Sequence, residues 1–504
     1  MNAPLRSVSR IFLLRRTAHR STFPSTTCLA HAFHTQLPGG LRAKLTTQQI
    51  NHILRLREAT SLDMEIPPPI KSFEVSQLAA NFPIEDRCLE ARLLRSGGML
   101  FAVIDGHGGP GCGQALSERL ADYVAVALMD LESLDRLAKE MDASLAAKSE
   151  FPPIVSRKMH PGDYMIAGQR PNHFKWLRQY VLDRVKEPHP LHQVPDRLRE
   201  AFLRMDHDIS ACGLETLNSD NEVVEHVNLE NLAASLSGAV VSLAYVNDCD
   251  LYVAGTGDTS GFIASVDEEG QWSTKTLVNH HTHANPAEMK RILSQHPESE
   301  AGTVVVGERL LGQLFPLRAF GDCQYKWPVE KLKAILRHHQ LMHLFPYHCY
   351  TPPYLTAEPE IIHHRLQAHN KFMLLSSDGL FDFLTEDSAS KLVIEHMGGR
   401  RALQPFTPNS GVTLGELNVR LKKRMIAQAK KPDDANVSTH VIRHALGRTD
   451  IGLDMGKLSR ALSASVEEAR YQRDDMTVQV IFFDSDYLRM FSPMEPTVGS
   501  AKPQ

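Results

Sequence analysis

One stretch largely sets the architecture of this chain: Met99-Leu100-Phe101-Ala102-Val103-Ile104-Asp105-Gly106-His107-Gly108-Gly109. Its six apolar residues predict a buried strand, which ends in a carboxylate followed by glycines. Glycine permits a tight turn and lets a main-chain carbonyl approach a ligand closely. Asp105 offers two oxygens and the next carbonyl a third, and hard divalent cations prefer such ligands. The same pattern is also typical of an ordinary turn after a strand, so by itself it leaves both interpretations open.

Acidic residues recur next to other strand-like segments. They are Asp258, Asp378, Asp474 and, just before the first strand, Glu85 and Asp86. A sheet could bring these carboxylates together at one edge. Two cations about 3.5–4 Å apart, held by carboxylates, are a known device for displacement at phosphorus. The pattern therefore favours a carboxylate metal site that needs no cysteine–histidine cage.

Several segments, taken in chain order, resemble the motifs of the metal-dependent serine/threonine protein phosphatases. The long ones are Asp105-Gly106-His107-Gly108-Gly109, Asp378-Gly379-Leu380-Phe381-Asp382 and Arg473-Asp474-Asp475-Met476-Thr477. The shorter ones are Ser237-Gly238-Ala239 and Gly257-Asp258. The first motif alone is only suggestive, but the ordered set makes the resemblance specific.

Within this family the chain resembles the pyruvate dehydrogenase phosphatase catalytic subunits. The segments that carry this are Arg318-Ala319-Phe320-Gly321-Asp322, Tyr350-Thr351-Pro352-Pro353-Tyr354-Leu355-Thr356-Ala357-Glu358-Pro359 and Thr439-His440-Val441-Ile442-Arg443-His444-Ala445. The resemblance extends over roughly residues 73–483. It implies a protein serine phosphatase that acts on the phosphorylated pyruvate dehydrogenase α subunit and reactivates the complex. It also implies docking on the lipoyl domain of the acetyltransferase core and pairing with a regulatory subunit.

The pattern along the chain favours an α+β fold. Helical spacing predicts helices at residues 114–130, 198–209, 285–295, 388–396, 414–427 and 458–469. A short polar turn at 247–250, between apolar runs at 238–246 and 251–254, predicts a hairpin. Strand-rich pairs with separate helices argue against a doubly wound parallel sheet. The resemblance implies two packed antiparallel β-sheets flanked by α-helices, with a binuclear metal site at one end of the sandwich.

The resemblance also implies a role for each candidate residue. Asp105 would bridge two divalent cations, magnesium or manganese, and the carbonyl of Gly106 would bind one of them. The other ligands would be Asp378 and Asp474, while Glu85 and Asp86 would bind metal or metal-held water. Water activated by the cations would attack phosphorus directly, without a phosphoenzyme.

Three further positions have less certain roles in this pattern. His107 matches the position of a general acid for the leaving serine oxygen, and histidine suits proton transfer near neutral pH. The alternative for His107 is a hydrogen bond that only orients water. Asn81, at the phosphate site, stands where many family members carry a phosphate-clamping arginine, so a bidentate contact is missing. Asp258 is interpreted as structural, or as a carboxylate outside the metal coordination sphere or on a third metal.

The composition is that of a large globular enzyme. The chain has 504 residues, 42% of them hydrophobic, and its formal net charge of −4 gives no general attraction to nucleic acid. Its seven cysteines show no C-x-x-C pairing, which favours reduced thiols over a disulfide framework. Because no apolar stretch approaches the about 20 residues of a membrane span, we expect no transmembrane segment.

The N-terminus differs in kind from the rest of the chain. Arginines alternate there with apolar residues, serines and threonines, and the first acidic residue is Glu58. This pattern is typical of a mitochondrial transit segment, although a disordered basic tail is an alternative. We expect a transit segment and disordered lead-in at 1–47, a phosphatase domain at 48–490 and a flexible tail at 491–504. The expected location is the mitochondrial matrix.

Three segments are interpreted as insertions: 146–195, 323–350 and 398–408. Long loops in compact enzymes are often binding surfaces or lids, although each of these could equally be a spacer. The second contains His338, His339, His343 and His348, which invite a zinc interpretation. Because no ligand spacing supports zinc there, we prefer a solvated helix face.

Two other functional classes stay open at this point. A pseudophosphatase would bind phosphoserine segments without turnover, but the intact Asp105, Asp378 and Asp474 argue against it. A metal-dependent phosphohydrolase of small molecules is opposed only by the subfamily segments. A cysteine-based phosphatase is excluded, because no cysteine has an arginine six positions later. The chain also lacks a Gly-Lys-Ser/Thr nucleotide loop.

Overall fold

The computed structural model describes residues 44–158, 160, 170–187, 193–224, 227–403, 413–429, 432–450 and 452–491. Most of the expected transit segment and the tail beyond residue 491 therefore lie outside the described residues. Residues 44–47 were expected in the lead-in, but they belong to the folded part. Leu45 is buried and its N–H donates to Ser459 Oγ at 2.7 Å, and Thr46 forms a capping box with Gln49.

Seventeen strands occur in the described part of the chain. They are β1 (Ala59–Thr60), β2 (Ile70–Leu78), β3 (Arg87–Leu93), β4 (Met99–His107), β5 (Val155–Arg157), β6 (Gly238–Asn247), β7 (Asp250–Thr256), β8 (Ser260–Val266), β9 (Trp272–Thr276), β10 (Val305–Val306), β11 (Arg309–Leu310), β12 (Phe320–Gly321), β13 (Glu360–Arg365), β14 (Asn370–Ser376), β15 (Arg448–Thr449), β16 (Gly452–Leu453) and β17 (Met476–Phe483).

The α-helices of the described residues lie between and after these strands. They are α1 (Thr47–Arg55), α2 (Gly111–Leu128), α3 (Leu131–Ala147), α4 (Arg170–Lys186), α5 (Val194–Leu214), α6 (Leu229–Leu236), α7 (Pro286–Ser294), α8 (Val329–His338), α9 (Glu386–Leu403), α10 (Leu414–Ala429), α11 (Val437–Gly447), α12 (Met455–Leu462), α13 (Val466–Gln472) and α14 (Ser485–Phe491). None of them is both long enough and apolar enough to cross a membrane.

Two large antiparallel sheets form the centre of the molecule. Sheet A has the strand order β1-β2-β17-β14-β8-β9, and sheet B has the order β13-β7-β6-β4-β3-β5, with β12 paired to β6. The inner faces of the two sheets pack together through side chains such as Phe73 of sheet A and Phe101 of sheet B, whose ring centroids are 5.4 Å apart. The expected pair of packed antiparallel sheets is confirmed.

Helices cover the outer faces of the sandwich. Helices α2, α3, α4 and α5 pack on sheet B, and α1, α9, α11 and α12 pack on sheet A. Each sheet is therefore buried on both faces. This explains why the residues of its central strands are almost all apolar, and why polar side chains occur there only where they are hydrogen-bonded. The result is four layers, in the α+β arrangement that the sequence predicts.

The predicted hairpin and the predicted strand end show how pairing sets element boundaries. Strands β6 and β7 pair as far as Asn247 and Asp250, and the turn between them places Asp248 at a positive φ of 50°. Strand β4 was expected to end at residue 104. It continues through Asp105 to His107, because β6 keeps pairing with it up to Gly238.

Some predicted elements differ in the structure. The helix expected at 458–469 is two helices, α12 and α13, because Ser465 starts the second one with a capping box to Glu468. The insertion at 146–195 contains β5 and α4, and the insertion at 323–350 contains α8, so neither is simply a loop. Residues 404–408 of the third insertion lie outside the described residues.

Candidate active site

The carboxylates singled out in the sequence meet at one end of the sandwich. Asp105 lies near the end of β4, Asp378 follows β14, Asp474 precedes β17 and Asp258 lies between β7 and β8. The two sheets are in contact at this end, since the backbone N–H of Asp378 (sheet A) donates to Asp105 Oδ2 (sheet B) at 3.3 Å. Asp378 and Asp474 are solvent-exposed and Asp105 is half-buried, so the cluster lies in an open cleft.

Asp475 holds the loop that carries the acidic pair. One of its carboxylate oxygens accepts the N–H groups of Ala80 at 2.5 Å and Asn81 at 2.8 Å, and the other accepts the N–H of Glu85 at 2.8 Å. Three backbone donors on one buried carboxylate fix residues 80–85 against the start of β17. The sequence motif contains Asp475, but the sequence analysis gave it no role.

The remaining predicted residues lie against the same strand start. Thr477 Oγ1 donates to Asp86 Oδ2 at 2.8 Å, and Asn81 Nδ2 approaches Asp474 Oδ1 at 3.4 Å. The side-chain oxygen of Asn81 is buried without a hydrogen-bond partner. The structure thus brings Asn81, Glu85 and Asp86 together with Asp474, as the motif order suggested.

Two glycines allow the backbone segments to come this close. A Cβ on Gly106 would lie 2.4 Å from the carbonyl oxygen of Glu85, and one on Gly379 would lie 2.2 Å from the carbonyl oxygen of Asp475. Both contacts are with backbone, which cannot move aside cheaply. The glycine after each aspartate is therefore required for β3, β4, β14 and β17 to converge.

Crowded negative charge dominates the electrostatics of this site. Burial and the charges of Asp378, Asp86 and Asp258 raise the pKa of the Asp105 carboxyl well above its usual range. Burial raises the pKa of Glu85 to about 7. The protein packed around the cleft, together with the charges of Asp258 and Asp474, raises the pKa of Asp378 to about 7 although its side chain faces the opening. Like charges held together in this way disfavour their own ionised forms.

The donor set fits hard divalent cations. Among the described residues, no lysine or arginine forms a salt bridge with Asp105, Asp378 or Asp474. Carboxylate oxygens and a backbone carbonyl beside a glycine are the ligands that magnesium and manganese prefer. The geometry can therefore hold positive charge that the chain itself does not supply.

His107 has a partner that was not predicted from the sequence. Its Nε2 lies 2.6 Å from Asp322 Oδ2, and Asp322 adopts a left-handed backbone conformation with φ 48°. Burial alone would lower the pKa of His107, but the Asp322 carboxylate raises it to about 9. The segment 318–322 was noted in the sequence only as a family marker, and its aspartate was the signal that could have revealed this pair.

Asp258 is buried within the same cluster. Its charge acts on Asp105, Asp378 and His107. The structure therefore places Asp258 beside the predicted ligands, and its role, structural or as a further carboxylate of the site, stays a prediction.

Comparison with known proteins assigns the chain to a protein family. The sequence pattern named "Protein phosphatase 2C" matches residues 177–431. The chain is 36% identical over 477 residues, 92% of its length and 88% of the other protein, to the human mitochondrial "[Pyruvate dehydrogenase [acetyl-transferring]]-phosphatase 2". The chain belongs to the protein phosphatase 2C family. Enzymes of this family are metal-dependent protein phosphatases, which agrees with the donor set described above.

Two further relatives carry similar names. Human mitochondrial "[Pyruvate dehydrogenase [acetyl-transferring]]-phosphatase 1" is 36% identical over 467 residues, 90% of this chain and 85% of that protein. The phosphatase 1 of Saccharomyces cerevisiae is 28% identical over 452 residues, 82% of this chain and 68% of that protein. The protein phosphatase 2C match contains Asp258 and Asp378, whereas Asp105 and Asp474 lie outside it. The tertiary structure joins the two sets.

Proposed function

We propose that this protein phosphatase 2C is the mitochondrial phosphatase that dephosphorylates and reactivates the pyruvate dehydrogenase complex. The observation that carries the proposal is the convergence of Asp105, Asp378 and Asp474 in a chain 36% identical to pyruvate dehydrogenase phosphatases over about nine tenths of its length. The substrate is the phosphoserine of the pyruvate dehydrogenase α subunit, and the compartment is the mitochondrial matrix.

We assign the metal ligands to the carboxylates that gather at this end of the sandwich and to one backbone carbonyl beside them. Asp105 would hold both cations and the Gly106 carbonyl one of them, with Asp378 and Asp474 as further ligands from the sheet A side. Glu85 and Asp86 complete the set. Two magnesium or manganese ions, when bound, supply the positive charge that activates water and offsets the charge of the phosphate.

The chain's own groups then place the substrate and move a proton. His107, held by Asp322, would donate a proton from its imidazole to the leaving serine oxygen, in a reaction without a phosphoenzyme. Asn81 contributes an amide at the phosphate site, where it replaces a bidentate arginine contact with a weaker one. Phosphate affinity then depends more strongly on the cations.

Docking on the lipoyl domain of the acetyltransferase core and pairing with a regulatory subunit are part of the same proposal. They rest on the substrate for which the relatives are named and on the three subfamily segments of the sequence. A pull-down with isolated lipoyl domain tests docking separately from turnover.

The test is phosphate release from phosphorylated pyruvate dehydrogenase complex by the purified protein, with magnesium or with EDTA. We expect magnesium-dependent release that Asp474→Ala abolishes. Asp486→Ala, an exposed aspartate just beyond the far end of β17, is the matched control and should keep full activity. Release from a generic phosphoserine peptide but not from the complex would keep the chemistry and reject the substrate. No release from either would favour a pseudophosphatase.

A further inference from the structure

A second cluster of metal-ligating side chains lies in the core between the two sheets. Ligand atoms of Cys88, Glu90 and His160 all lie within 4.8 Å of one another. All three residues are buried, with Glu90 fully shielded from solvent. The active-site carboxylates do not include any of them, and the proposed reaction uses none of them.

The fold brings these residues together from two separate segments. Cys88 and Glu90 are two residues apart on β3, so both side chains point to the same face, toward sheet A. Strand β5 pairs with β3 along the sheet edge, and the N–H of Lys158 donates to the Glu90 carbonyl at 3.0 Å. This pairing turns the chain inward and delivers His160 to the two β3 side chains.

Within the described residues, the group placed to balance the charge of the buried Glu90 carboxylate is His160. His160 is hydrogen-bonded to the Glu90 carboxylate and also to Cys88. No lysine or arginine in the described ranges forms an ion pair with Glu90. A fully buried carboxylate is costly unless it is paired or coordinates a metal.

A fourth group from sheet A completes the cluster. The side-chain amide of Gln479, on β17, donates from Nε2 to Glu90, while its Oε1 is buried without any hydrogen-bond partner. Gln479 is itself fully buried. Because an amide can present either oxygen or nitrogen from the same position, Gln479 can offer an oxygen to the same point in space.

We propose that Cys88, Glu90 and His160 form a structural site for a zinc-class divalent cation, with Gln479 as the fourth ligand. A thiolate sulfur, an imidazole nitrogen and a carboxylate oxygen are ligands of zinc, whereas magnesium takes oxygen ligands. On binding, the Cys88 S–H bond and the His160 N–H bond that faces the ion both break, the two protons go to solvent, and a sulfur–metal and a nitrogen–metal bond form, with no change of oxidation state. Thiolate and carboxylate together neutralise the dication.

This site is separate from the catalytic one and has a different purpose. Cys88 is two residues beyond Asp86, about 6.6 Å along an extended strand, and Glu90 is farther still. The metal ties the segment after β5, at the start of the 146–195 insertion, to the centre of the sandwich. A three-residue edge strand gives this segment little pairing of its own.

Cobalt spectroscopy on the full-length protein tests the proposal. The catalytic carboxylates include no sulfur, so a thiolate-to-cobalt charge-transfer band reports only the second site. The protein is first treated with excess magnesium and dialysed. We then expect about one equivalent of zinc bound per chain, and we expect the charge-transfer band to appear once this zinc is exchanged for cobalt. Cys88→Ser and His160→Asn should both lose the metal and the band. Cys249→Ser, a buried cysteine in the β6–β7 turn, is the control and should retain both.

The wild-type protein alone can overturn the proposal. No retained zinc and no thiolate band would mean that Glu90 and His160 form only a buried ion pair. A band that survives in Cys88→Ser would place the metal elsewhere. If Cys88→Ser fails to fold, the wild-type spectrum and the melting temperature with and without added zinc decide, since a bound ion must raise it.

Discussion

Asp86 and Asp434 are equally buried, with 1% of each residue exposed, yet their carboxyl groups behave in opposite ways. Burial and the charge of Asp475 raise the pKa of Asp86 well above its usual range. Burial acts in the same direction at Asp434, but Arg443 and Arg55 outweigh it and lower the pKa. Arg443 contacts both oxygens of Asp434, at 2.6 and 2.7 Å.

The difference lies in where the compensating charge comes from. Around Asp434 the chain carries its own cations, so this region is complete once the protein has folded. Around Asp86 and Asp105 the charged neighbours are mainly other carboxylates, so the chain leaves the negative charge of this region largely uncompensated. Buried acidic residues are therefore evidence of a ligand site only when the chain leaves them without counter-charge.

We call the surroundings of Asp86 and Asp105 the unpaired region and the surroundings of Asp434 the paired region. The largest expected effect on activity comes from removing a carboxylate of the unpaired region. Asp105→Asn should reduce magnesium-dependent phosphatase turnover at least about 1,000-fold, because it removes the proposed bridging ligand and its charge. Steady-state kinetics measure the loss, and circular dichroism checks that the fold is retained. Asp135→Asn, which changes an exposed residue on α3, is the control and should leave turnover unchanged. Substantial activity in Asp105→Asn would refute the metal assignment.

The next effect is on the free energy of unfolding, and its size is expected to differ between the two regions. Asp434→Asn should lower the free energy of unfolding by about 3–5 kcal/mol, because the buried Arg443 loses its partner. Asp86→Asn, in the unpaired region, should cost much less without metal, since it relieves repulsion. Urea denaturation in EDTA compares the two variants, and exposed Asp433→Asn is the neighbouring control. Equal losses would show that counter-charge does not distinguish the regions.

A smaller effect is expected at the His107–Asp322 pair of the cleft. The Asp322 carboxylate raises the pKa of His107 to about 9 against the effect of burial, so the protonated imidazole persists below that pH and is lost above it. Asp322→Asn should lower this pKa, reduce turnover about 100-fold and move the alkaline loss of activity to lower pH. A lower rate with an unmoved pH profile would limit Asp322 to a structural role.

The smallest effect concerns histidines beside the paired region. His440 on α11 packs against His396 and His444, with ring centroids 5.1 and 4.3 Å away, and burial and these neighbours lower its pKa to about 3. The unfolded chain binds a proton there below about pH 6.5, so stability falls as pH falls through that value, by at most about 1.4 kcal/mol per pH unit.

His440→Gln should therefore flatten the acid side of the stability curve. Thermal or urea unfolding between pH 7 and 5 measures the slope. His363→Gln, a partly exposed histidine on β13, serves as the control and should leave the slope nearly unchanged. An identical slope in His440→Gln would assign the acid sensitivity to other groups.

Local sequence was sufficient for much of the fold and for the outline of the cleft. The apolar run before Asp105, the polar turn at 247–250 and the Asn285-Pro286 helix start are short-range signals, and the structure has a strand, a hairpin and a helix at these places. The ordered aspartates identified the residues of the cleft because each lies at or beside the end of a strand. The position of a strand end or a helix break was less predictable, since partner strands and caps decide it.

What the sequence by itself determined is the set of elements and the type of chemistry, because periodicity, glycine and carboxylates act over a few residues. Only the tertiary structure decided which charges meet. It paired Asp322 with His107 across 215 positions and used Asp475 to fix a loop almost 400 residues earlier. It also joined His160 to Cys88 and Glu90. Such contacts depend on how two sheets and an edge strand pack. A local sequence pattern does not specify which residues, far apart in the chain, this packing brings together.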